Sequence, residues 1–198
     1  ILNAGFADLT SFFYLAPWVL LFLVPAITMK TFADEFQSGT IEILKTRPIT
    51  NSQIVLGKFF AVLLLIIIAI IPTYIYVYSV SQLGNPIGNI DYGSTIGSYV
   101  GLLLLASSYA SIGVFTSSIS ENQIVAFLLA VFIAFFFYYG FDAVSNLFGN
   151  YSYTLKLFGM NEHFKSISRG VLDTRDVFYF LSIIVFFLFI TKQKLTND

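Results

Sequence analysis

From Lys30 to Lys58 the chain reads K-T-F-A-D-E-F-Q-S-G-T-I-E-I-L-K-T-R-P-I-T-N-S-Q-I-V-L-G-K. This stretch holds three of the eleven acids (Asp34, Glu35 and Glu42) and four of the ten bases. The pair Gly57-Lys58 invites comparison with a phosphate-binding loop, G-x-x-x-x-G-K followed by Ser or Thr. Here the first position is Ser52 and the last is Phe59, so the pattern fails. Lys58 reads instead as an anchor at a membrane interface, and any nucleotide would have to be bound by another chain. His163 is the one histidine and reads as a solvated or headgroup-facing side chain. With no cysteine, disulfides and thiolate metal sites are excluded. The long apolar runs contain no acid, base or histidine. That argues against a proton relay and against a nucleophile–base pair at membrane depth.

The elements that position these residues are membrane helices. The 198 residues are 57% hydrophobic and 11% charged, with a mean hydropathy of +0.83. A hydrocarbon layer of about 30 Å needs about 20 apolar helical residues, and the runs here are apolar on all sides rather than alternating as in a β-barrel. Five spans are expected, at about 13–29, 59–79, 96–115, 124–140 and 177–190. A kink is expected near Pro25. The third span carries Gly97-x-x-x-Gly101, Ala106-x-x-x-Ala110 and Ser107-x-x-x-Ser111, which read as close packing within its own bundle. The Phe-Phe-Phe-Tyr-Tyr run at 135–139 suits an aromatic belt at the headgroups. A net charge of −1 leaves no basic field for a nucleic-acid partner.

The polar stretches have structure of their own. Within the elbow, residues 30–58, Phe32 and Phe36 share one face of a short helix, with Asp34 and Glu35 away from it. Gly39 is placed to end that helix in the left-handed region. Thr40 is placed to cap the next, and Pro48 to stop it. Thr50-x-x-Gln53 is a capping-box signature, and Ser120-x-x-Gln123 resembles another. In the second long loop, 141–176, Phe164, Ile167 and Val171 recur at helical spacing, predicting an amphipathic helix lying on the bilayer surface. Asn150-Tyr151-Ser152 matches a glycosylation sequon, a pattern common by chance. If the C-terminus is cytoplasmic, the elbow side carries six bases and the other side four, all in the longest loop. The elbow is therefore taken as cytoplasmic and the loop as external.

The elbow sequence resembles the type-2 ABC exporter permeases. An acidic pair followed by G-T-x-E-x-L-x-x-x-P and Val or Ile falls here on Asp34, Glu35, Gly39, Thr40, Glu42, Leu44, Pro48 and Ile49. S-S-I-S-E-N-Q-I-V-A-F at 117–127 and H-F-x-x-I-x-R-G-V-x-D-x-x-D-V-x-Y-F at 163–180 agree as well. Among these permeases the chain looks most like the subunit of the gliding-motility-associated ABC transporter. The resemblance implies an all-α, multi-pass permease of the bacterial inner membrane, six-spanned in the family, with one span expected upstream. It also implies a separate ABC ATPase subunit that binds ATP, a second permease subunit (identical or different) and surrounding membrane lipids. Residues 32–48 would form the coupling helix region docking on the ATPase, with Phe32, Asp34, Glu35, Phe36, Gly39, Thr40, Glu42, Leu44 and Pro48 as its site. The chain itself would hold no cofactor and catalyse no reaction. The competing reading is a non-transporting membrane anchor whose ATPase drives assembly of a cell-surface complex.

Overall fold

A computed structural model describes residues 9–84, 87–147 and 152–197, without the side chain of Lys45. The Asn150 sequon lies largely outside the described residues. Those described are overwhelmingly helical, and five helices are long and apolar enough to cross a membrane. The protein is thus a polytopic all-α membrane protein.

α1 (Thr10–Thr28) carries Pro17 and Pro25 and continues through both. The elbow holds two short helices, α2 (Ala33–Gln37) and α3 (Thr40–Lys45). Between them Gly39 sits at φ 70°, where a side chain would be strained. Gly39 occupies the N-cap position of α3, so Thr40 is its first helical residue, with its hydroxyl 2.9 Å from that of Ser38. The expected threonine cap does not form. α4 (Asn51–Ile70) starts where the capping box predicts: Thr50 Oγ1 accepts from the Gln53 amide at 3.3 Å. Gln53 Oε1 in turn accepts from the Thr50 amide at 2.8 Å. A 3₁₀ turn at Ile71–Thr73, set by Pro72, leads into α5 (Tyr74–Leu83). The second crossing helix is therefore 33 residues long and begins eight residues before the apolar run at 59.

α6 (Tyr92–Ser118) is the central helix, buried along most of its 27 residues. Its glycines and serines make this possible, because small side chains let neighbouring backbones approach. At Gly97 a Cβ would stand 2.5 Å from the Ile167 carbonyl oxygen, and at Gly113 it would run into Thr28. α7 (Gln123–Phe135) is capped by Asn122, whose Oδ1 accepts from the Ile124 amide at 2.9 Å. Ser120 is not that cap; its hydroxyl accepts from the Asn122 amide at 3.2 Å. A π-helical turn, Phe136–Gly140, joins α7 to α8 (Phe141–Ser145), so the fourth crossing helix extends to Ser145. Only part of its aromatic run faces outward. Phe136 and Tyr139 are exposed, whereas Tyr138 is buried edge-on against Trp18, ring centroids 5.3 Å apart.

After α9 (Ser152–Lys156), α10 (Met160–Ser168) corrects a second expectation. Its apolar face, Met160, Phe164 and Ile167, is buried in the bundle core over Gly97 and Gly101 rather than laid on lipid. Val171, past the end of α10, is exposed. His163 is not solvated. Its Nδ1 pairs with Asp176 Oδ1 at 2.6 Å, its Nε2 faces the Leu157 carbonyl at 2.9 Å, and its ring stacks on Tyr179. Asp176 opens α11 (Thr174–Asn197), the last crossing helix, which returns to the elbow end of the bundle.

Candidate functional site

At the elbow end a small apolar cluster forms beneath α2 and α3. It joins Phe32 and Ile41 of the elbow to Ile54 and Val55 of α4, Val114 of α6 and Leu195 of α11. Phe36, Leu44 and Leu188 pack against it. Phe32 is fully buried and is the plug of this seat. The elbow is therefore seated on the bundle by its own aromatic face.

Polar contacts fix α2 to three crossing helices. Ser117 Oγ, near the end of α6, accepts from the amides of Phe32 and Ala33, both at 3.0 Å, and donates to the Met29 carbonyl at 3.0 Å. These amides open α2 and have no partner within it, so a hydroxyl from another helix caps this one. Asp34 Oδ1 accepts from the side-chain amide of Gln123, the first residue of α7. Glu35 pairs with Lys58 of α4 at 2.6 Å. The Lys58 ammonium also donates to the Thr31 carbonyl and lies 4.6 Å from the centre of the Phe32 ring. Lys58 is thus an internal strut of the elbow and not a lipid anchor.

The site residues named from sequence therefore divide in two. Phe32, Asp34 and Glu35 face the bundle, and Phe36 and Leu44 are half-buried on the cluster. Gly39, Thr40, Glu42 and Pro48 are exposed, together with Thr46 and Arg47. Ile43 on this outer face is 62% exposed, an apolar side chain set among polar ones. Sequence reading missed Ser117, Gln123 and the inward role of Lys58. Ser117 and Gln123 lie in the stretch 117–127 that carried part of the resemblance, but nothing local links them to residues more than 80 positions earlier.

The family model described as "ABC-2 family transporter protein" matches residues 12–187. That interval takes in most of α1, the elbow, all of α6 and α7 and the first part of α11, and stops short of Leu188 and Leu195 of the seat. The chain belongs to the ABC-2 transporter family. It is accordingly a permease component, a multi-pass membrane subunit of an ABC transporter and not its ATPase. The match is to the family as a whole and does not single out its gliding-motility branch. No curated protein and no solved structure matches this ABC-2 protein. Among the described residues no cluster of acids and histidines could hold a metal ion.

Proposed function

We propose that this permease is driven by a separate ABC ATPase in a bacterial inner membrane, and that the elbow is its coupling element. The observation that carries the reading is the division of labour within the elbow. One side of α2 is tied by Ser117, Gln123 and Lys58 to α6, α7 and α4, while α3 offers an outer face around Thr40, Glu42 and Ile43. A push on that face reaches three membrane helices through short, buried or half-buried contacts, so a docked partner would move the bundle rather than bend a loop. Glu42 and Arg47 give the face charges of both signs for a partner's rim, and such charges steer docking more than they add affinity. The reading extends to a second permease subunit beside this one and to export as the direction of transport. Assembly or motility machinery on the cell surface would use the same elbow. Which of these the ATPase serves is read by what stimulates it: an exported compound, or a surface protein.

The test uses the absence of cysteine. A single cysteine replaces Thr40, and single cysteines are placed on the co-expressed ATPase subunit. The expected result is a disulfide whose yield changes between nucleotide-free and ATP-trapped membranes. A Thr40→Cys protein that forms no crosslink to any ATPase position in either state overturns the coupling role.

A further inference from the structure

Between α4 and α11, at the elbow end, the outside of the bundle carries an apolar groove of about 230 Å³. Val55 and Leu188 line its inner side, and Leu56, Val185 and Phe189 are its outward-facing walls. Along α11 it runs from Val185 to Lys192, which is roughly 10 Å of helix. Ser52 and Lys192 are the polar side chains that line it, one in the first turn of α4 and one near the end of α11. Neither the Lys192 ammonium nor the Ser52 hydroxyl has a partner among the described residues. Just beyond, Asn51 Nδ2 donates to the Leu195 carbonyl at 3.3 Å and holds the two helices together.

We propose that this groove binds an anionic phospholipid, one acyl chain along Val55, Leu188 and Phe189 and the phosphate against Lys192 and Ser52. The asymmetry of the groove selects that occupant. It is apolar along its length and carries a hydroxyl and a positive charge together at the end where a membrane interface must lie. The first turn of α4 adds the positive end of a helix dipole there. Basic pockets between membrane helices at the interface are suited to anionic headgroups. A second copy of the chain seated here would bury the ammonium, which is costly in hydrocarbon unless that copy brings a counter-charge to it. A zwitterionic lipid would set its own cation near Lys192.

The experiment is native mass spectrometry of the full chain in a neutral detergent, titrated with phosphatidylglycerol or phosphatidylcholine bearing the same acyl chains. The first phosphatidylglycerol is expected to be retained about fivefold better than phosphatidylcholine. Lys192→Ala abolishes that preference and Lys192→Arg keeps it. Lys30→Ala, an exposed base at the same end outside the groove, also keeps it. Val185→Trp, which fills the groove, lowers retention of phosphatidylglycerol. Equal retention of the two lipids by the unaltered protein overturns the proposal. So does an undiminished preference in Lys192→Ala, an undiminished retention of phosphatidylglycerol in Val185→Trp, or a lipid-free dimer that Val185→Trp dissociates.

Discussion

Ser117 uses the whole hydrogen-bonding capacity of one hydroxyl. Its oxygen accepts twice, from Phe32 and Ala33, and its proton goes to Met29. Replacing it with alanine leaves two amides and the half-buried Met29 carbonyl without partners, and the amides belong to residues of 0% exposure, Phe32 and Ala33. Such groups cost about 1–3 kcal/mol each when orphaned, reduced where the turn can relax. Ser117→Ala should therefore destabilise the purified protein by about 2 kcal/mol in thermal unfolding. The comparison is Ser118→Ala, one residue away. Ser118 is equally buried, but its hydroxyl donates only to Phe115 of its own helix, at 2.7 Å. That carbonyl sits near a helix end, and the loss should stay within about 0.5–1.5 kcal/mol. Equal effects of the two substitutions would mean that Ser117 is an ordinary helix serine and the elbow is held by its apolar cluster alone. At this scale the sequence shows the two serines as twins. Only the return of the chain 85 residues earlier distinguishes them.

Glycine and serine along α6 turn a helix into a receiving surface for others. Gly97 and Gly57 make the point by contrast, both being helical glycines in crossing helices. A Cβ at Gly57 meets nothing within 4 Å, whereas at Gly97 it meets the Ile167 carbonyl at 2.5 Å and the Gly170 Cα at 3.0 Å. Gly57→Ala should stabilise by up to about 1 kcal/mol, since alanine is the better helix former. Gly97→Ala should destabilise by about 1–3 kcal/mol, because a carbonyl and a Cα have no rotamer with which to yield. Thermal unfolding in detergent reads the stability of both, and trypsin cleavage at Arg169 reads the loosening of α10 in Gly97→Ala alone. If both substitutions stabilise, α10 does not rest on α6 as described. The existence and order of these helices were legible in the sequence, because unbroken apolar runs and the Thr50–Gln53 box are local signals. The seat of α10 was not. An amphipathic stripe such as Phe164 and Ile167 looks the same whether it faces lipid or a glycine groove, and periodicity does not name the partner. His163 was misread for the same reason, since Asp176 and Tyr179 become its neighbours only once α10 turns back on α11.

For the whole molecule, five crossing helices impose a strict alternation that can be tested without any partner. The elbow and the C-terminal turns must share one side, because Leu195 packs in the same cluster as Phe32 and its carbonyl accepts from Asn51. The other ends meet across the bundle. A Cβ at Gly170, after α10, would stand 2.9 Å from the Gly93 carbonyl carbon at the start of α6, and Ser94 donates to the Ser168 carbonyl at 2.7 Å. Single cysteines at Thr40 and Gln193 therefore report one side, and at Ile87 and Val171 the other; all four positions are exposed. In spheroplasts an impermeant maleimide should label Ile87→Cys and Val171→Cys at once, and Thr40→Cys and Gln193→Cys only after the membrane is opened. The design separates two failures. If the two members of either pair label from different sides, the alternation is broken and the architecture is wrong. If the pairs stay together but exchange sides, the fold stands while the elbow faces away from cytoplasmic ATP, and the coupling reading falls with it. The six-to-four distribution of bases decides little between these orientations, because the four lie in a long loop where charge bias loses its force. The proposed coupling role requires one of them: an elbow whose outer face, with Thr40, Glu42 and exposed Ile43, receives an ABC ATPase must lie on the cytoplasmic side, where ATP is held.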